Sequence, residues 1–200
     1  MRIAAINRIT DQNLLNRIVV EDFDNEIKKI VLTSFFIALG LIITIPFRGV
    51  LIGGIPAGTI FSPMHLVILI SGLLLGAKYG LITGLIVPLL ASIFFGIPNL
   101  VPTALVMSIE LATYGFLSGY LYKKYHLNIY LSLISAMLSG RIIYLLGMGL
   151  AFLIGLSSSY MLLNYLKTLF IISSPAIIIQ IILVPLLVKL IEKRFPYEVF

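Results

Sequence analysis

Two full charges of opposite sign stand inside apolar runs of this chain. Glu110 lies in the stretch MSIELATYG and Arg141 in LSGRIIYLLG. A carboxylate can accept from an amine or a ring N–H, and a guanidinium forks onto a carboxylate or phosphate. Each charge has an aromatic hydroxyl on its own helical face, because Tyr114 follows Glu110 by four residues and Tyr144 follows Arg141 by three. His65, in FSPMH, sits at the lip of another apolar run, with Ser62 suited to cap a helix and Pro63 to its first turn. Asn99 in GIPNLVPT, Asn164 and Gln180 are the remaining polar groups that gather with them. Such a set suits a small solute with a flat ring and a charged or hydrogen-bonding end. A purely structural Glu110–Arg141 bridge is the alternative, and the two are compatible, since a pair at a cavity floor can open to a ligand.

These groups need elements that keep them out of hydrocarbon. Hydrophobic residues make up 60% of the chain and charged residues 11%, and the mean hydropathy is +1.13. A soluble domain of this length requires far more polar surface. The apolar runs separate at charges, prolines and glycines into 28–47, 62–76, 79–95, 102–122, 129–155 and 166–191. All but the second approach the ~20 residues that cross a bilayer as a helix. The short second run implies a helix starting below the surface, beside irregular chain that lines a cavity. The expectation is an all-α integral membrane protein, a compact bundle of six transmembrane helices over residues 28–194. A polar segment, 1–27, precedes it on the cytoplasmic side or at the interface, and a short cytoplasmic tail, 195–200, follows.

An ionisable side chain at membrane depth costs about 2.5–3.5 kcal/mol on insertion scales, so it faces protein or a wet cavity. Counting from the outer ends of their runs, Glu110 lies about 12 Å deep and Arg141 about 20 Å. Long side chains can close much of that gap.

Charge distribution sets the orientation. Arg2, Arg8, Arg17, Lys28, Lys29, Lys78, Lys123, Lys124, Lys189, Lys193 and Arg194 fall on one side, and only Arg48 and Lys167 on the other. The positive-inside rule then makes both termini cytoplasmic and the protein a multi-pass component of the cell membrane. Loops 48–61, 96–101 and 156–165 face outward over the polar groups. The first is rich in glycine and poor in charge, which suits either a lid over a binding pocket or a plain connector. Positive charge dispersed between spans is a topology signal and not a nucleic-acid footprint.

Cysteine is absent, which excludes disulfides and thiolate chemistry. No phosphate loop, HExxH pair or GxSxG context occurs, so neither ATP hydrolysis nor metal or hydrolase chemistry is expected of this chain. Gly72, Gly76, Gly80 and Gly84 recur every four residues, and Gly115 and Gly119 repeat the spacing. Small residues at that spacing let helix backbones approach closely inside the bundle.

The series FSPMHLVILISGLLLGAKYGLITGLIVPLL, GIPNLVPTALVMSIELATYGFLSGYLY and SGRIIY resembles the substrate-binding S component of energy-coupling factor (ECF) vitamin transporters. The resemblance covers roughly residues 30–190. It implies a high-affinity subunit that captures a vitamin or related micronutrient from outside and docks on a transmembrane coupling subunit driven by two ABC ATPases. ATP is then used only by the partner subunits, and this chain carries no cofactor and is no enzyme. Family members contact the coupling subunit through Ala-x-x-x-Ala in the first helix; the matching positions are Ser34 and Ala38, the first a departure that is still small. The family's pocket lies toward the outer face, where the polar residues gather by counting alone. Pyridoxine-like compounds, pantothenate and folate-like compounds all fit those residues. The alternative from another class is a stand-alone secondary carrier or channel, with Glu110 as a proton site.

Overall fold

The computed structural model describes residues 23–156 and 166–194. Among the described residues, six helical segments are long and apolar enough to cross a membrane. The first, α1, runs Phe23–Phe47 and ends in a tighter 3-10 turn, Ile45–Phe47. It begins before the apolar run because hydropathy marks only the part that crosses hydrocarbon. Its polar first turns are tied down, with Glu26 Oε2 accepting from Tyr79 Oη at 2.7 Å and from Lys78 Nζ at 3.1 Å.

The expected lid is folded. Strand β1, Leu51–Ile52, pairs antiparallel with β2, Ile55–Pro56. The two residues between them are Gly53 and Gly54, with φ of 58° and 81°. A two-residue hairpin turn needs positive φ, which glycine adopts without steric cost. Helix α2, Ala57–Phe61, follows directly, and α3 occupies Pro63–Leu75. The second span is therefore Ala57–Leu75, longer than the apolar run at 62–76 and broken at Ser62. Ser62 is left-handed (φ 41°, ψ 54°) and makes no side-chain cap on α3. Its hydroxyl donates backward to the Thr59 carbonyl at 3.2 Å, which corrects the capping role expected of it. Pro63 does occupy the first turn. A non-glycine residue in this conformation costs about 1–3 kcal/mol and persists where its surroundings fix it. Here the Ser62 carbonyl accepts from the His65 N–H at 3.1 Å and from Gln180 Nε2 at 3.4 Å.

Helix α4, Ala77–Phe95, is joined to α3 through Gly76 at φ 94°. Helix α5, Leu105–Gly119, is preceded by a kinked turn, Leu100–Ala104, in which Val101 is extended, and is continued by a π-helical turn, Tyr120–Lys124. Helix α6 spans Ile129–Leu153, its start capped by Asn128, whose side chain accepts from the Tyr130 N–H at 3.1 Å. The last span is interrupted at Ser173: a π-helical turn, Thr168–Ile172, precedes α7, Ser174–Arg194.

Helices α3, α4 and α5 share one seam. A Cβ at Gly72 or Gly80 would overlap the Gly115 carbonyl, one at Gly84 the Leu111 backbone, and one at Gly119 the Gly72 carbonyl. Backbone-to-backbone approach supplies van der Waals contact where lipid offers no hydrophobic drive. Gly72, Gly80, Gly84, Gly115 and Gly119 thus serve internal packing, as expected, while Gly76 forms the turn between α3 and α4. Ile68, Leu69, Leu73, Leu74, Leu111 and Leu133 are sealed in the same core. Helix α1 closes it with Phe36 and with Gly40, which lies against Val87 and Val67.

Candidate solute-binding site

At the end of the bundle away from the Lys78 turn, the chain encloses a cavity of about 360 Å³. Its walls come from the end of α1, the α2–α3 joint, the 97–98 turn, α5, α6 and the break before α7. Glu110 and Arg141 both line it, with Glu110 Oε1 3.8 Å from Arg141 Nε. Glu110 is buried, at 2% side-chain exposure, and Arg141 is largely covered, at 12%. Two further groups orient it: Tyr114 Oη donates to Glu110 Oε1 at 3.1 Å, and Arg141 Nη2 donates to Ser173 Oγ at 3.2 Å. The break in the last span is what delivers Ser173 to the guanidinium. Gly140 gives the Tyr114 ring its space, since a Cβ there would overlap the ring.

His65 also lines the cavity. Its ring meets Tyr114 edge-on, centroids 5.6 Å apart at 67°, an arrangement favoured by the ring quadrupoles. At 5% exposure the ring is buried. Its Nδ1 has no hydrogen-bond partner among the described residues, nor do Arg141 Nε and Arg48 Nε. More than nine in ten buried polar atoms in native proteins are paired.

Arg48 follows the end of α1 and seats its guanidinium 3.6 Å above the Phe95 ring centroid. Partial burial draws it below its ordinary value, yet an arginine keeps its charge under any physiological condition. The sequence reading used Arg48 only to count charges outside the spans. The signal that would have found it is a lone arginine between a helix end and a glycine-rich turn at the mouth of a polar cluster.

The structure brings His65, Glu110, Arg141 and Tyr144 together on the cavity wall. Tyr114 stands directly behind, through its bond to Glu110. Two other residues named from the sequence do not line the cavity. Gln180 is buried at 1% exposure on the far side of Ser62, holding the α2–α3 joint. Asn99 is exposed, and its carbonyl takes the Ala104 N–H at 2.8 Å just before α5, while its neighbours Ile97, itself largely exposed, and Pro98 border the cavity. Asn164 lies outside the described residues. Among groups not foreseen are Arg48, Thr59 and Ser173, together with Met64 and Met107.

No curated protein and no solved structure matches the chain. The sequence model of the ECF transporter substrate-specific component family matches residues 28–192. That match begins in α1 and ends within α7, taking in every wall of the cavity, and the chain accordingly belongs to the ECF transporter substrate-specific components, the membrane-embedded subunits of these transporters.

Proposed function

We propose that this S component captures a vitamin-like small molecule with high affinity in the cavity around Glu110 and Arg141, for import driven by a coupling subunit and two ATPases. The observation that carries the reading is the largely covered, oriented Glu110–Arg141 ion pair, which lines one cavity together with His65. The cavity volume of about 360 Å³ lies at the lower end of the ~300–1,000 Å³ typical of ligand pockets. That supports a compound of pyridoxine or pantothenate size over a folate-like one. The cation distribution supports cytoplasmic termini, and so a cavity that opens outward in the cell membrane.

Helix α1 supports the partner reading. Ile27, Val31, Ser34, Ala38, Ile42 and Ile45 are exposed at helical spacing and form one stripe facing away from the bundle. The Ser34 hydroxyl is satisfied within its own helix, donating to the Ile30 carbonyl at 3.1 Å. The middle of the stripe is therefore both small and effectively apolar, suited to close helix–helix contact with a coupling subunit. Native mass spectrometry of the purified chain tests the solute reading. A small molecule should be retained by the wild type and lost in Arg141→Gln; retention of nothing, or equal retention by the variant, would contradict it.

A further inference from the structure

We infer that the solute is an anion, carrying a carboxylate or a phosphate, and that Arg48 rather than Arg141 reads its charge. The inference rests on the cavity being the solute site. Two guanidinium groups and one carboxylate line that cavity among the described residues. Glu110 is the only acidic residue between positions 27 and 191 of the sequence. The other described carboxylates that form contacts lie at the opposite end, Glu26 with Lys78 and Tyr79, and Glu192 with Tyr122. Among the described residues, Glu110 is therefore the one carboxylate at the cavity.

Glu110 is committed to Arg141 at 3.8 Å, and Arg141 is held further by Ser173. That pair is close to neutral as a unit and can offer hydrogen bonds to an uncharged polar group. Among the described residues Arg48 has no such counter-charge. Its one described partner is the Phe95 ring beneath it, and its Nε is buried without a hydrogen-bond partner. Stacking occupies the face of a guanidinium and leaves its N–H edge in the plane, the geometry that grips a carboxylate or phosphate through two parallel bonds. A cationic solute would meet an uncompensated positive charge, and a neutral one would leave that charge unmatched in a half-covered cavity. The anionic end of the solute then lies at the wall formed by the end of α1. Its uncharged end reaches His65 and the Glu110–Arg141 pair.

Two probe sets test this on the purified full-length chain in lipid nanodiscs. One is an equimolar mixture of pantothenate, panthenol, nicotinate, nicotinamide, pyridoxine and pyridoxal phosphate, in which anions are matched by neutral relatives. The other is the small-molecule fraction of a rich growth medium. Retained compounds are identified by mass spectrometry, and affinities measured by calorimetry for wild type, Arg48→Gln and Arg48→Lys. The wild type should retain anions. Arg48→Gln should weaken the retained anion roughly 10- to 100-fold, the loss of a charge-assisted hydrogen-bonding group, and Arg48→Lys should restore part of it. Thermal stability without solute should stay at the wild-type value in both variants, since Arg48 lies outside the spans. Retention of only neutral or cationic compounds would overturn the inference while leaving solute capture intact. So would full anion affinity in Arg48→Gln. Retention of nothing by the wild type from either set would overturn both readings.

Discussion

Helices α3 and α5 each carry two kinds of surface. On α3, Gly72 belongs to the seam and His65 to the cavity; on α5, Gly115 belongs to the seam and Glu110 to the cavity. In the seam, backbone meets backbone, and the side chain between α3 and α5 beside Gly72 is the small Ser118 hydroxyl. Around the cavity the same helices are held apart by arginine, histidine, tyrosine and glutamate, with several nitrogens unpaired. The contrast shows how a bundle in lipid keeps a polar site ordered. The seam fixes α3 relative to α5, and the groups farther along those helices inherit that precision. Loops and breaks at Ser62 and Ser173 then supply the groups the helices do not.

The comparison can be broken first at the seam. Gly80→Leu would drive a side chain into backbone of both α3 and α5, where nothing flexible can yield. Overpacking costs about 1–3 kcal/mol even where repacking is possible, so no monodisperse protein should be recovered on size exclusion. Gly149→Leu, at a position with open space around it, should be recovered normally.

The next largest effect lies at the ion pair. Arg141→Gln leaves Glu110 buried without its cation, which costs about 3–5 kcal/mol for a broken buried pair, read as a lower thermal midpoint. Combining it with Glu110→Gln should recover most of that stability but not solute binding. Full binding by the double variant would reduce the pair to a structural bridge. Ala38→Leu, on the exposed stripe of α1, should abolish assembly with the coupling subunit in a co-purification assay and leave solute affinity unchanged. His65→Ala should weaken solute binding by up to about 10-fold, the value of one hydrogen bond. Smallest of all, Lys78→Ala removes an exposed partner of Glu26. Exposed pairs contribute about 0–1 kcal/mol, so its thermal midpoint should barely move and its binding not at all.

The seam was legible in the sequence because glycines four apart have few uses in a membrane helix other than close packing. The Glu110–Arg141 pair was legible because a charge in an apolar run must find a partner, and each was the other's nearest candidate. Other features depend on where the chain bends, and hydropathy carries no record of bending. The second span looked short because Ser62 breaks it, and α2 lies on the far side of that break. Asn99 looked like a site residue because its loop borders the cavity, yet of that loop Ile97 and Pro98 line it and Asn99 does not. Gln180 was correctly placed mid-span, but the Ser62 carbonyl that engages it exists only once the α2–α3 joint has formed. The hairpin did leave a signal, two glycines between the apolar pairs Leu51-Ile52 and Ile55-Pro56.

The central claim is that this chain binds its solute but cannot move it unaided. Reconstitution in liposomes with a radiolabelled form of the compound retained by the purified protein addresses that directly. The chain alone should bind the compound and accumulate none of it, with accumulation appearing only when coupling subunit, both ATPases and ATP are present. Accumulation by the chain alone, without ATP, would contradict the account and assign the Glu110 cavity to a self-sufficient carrier.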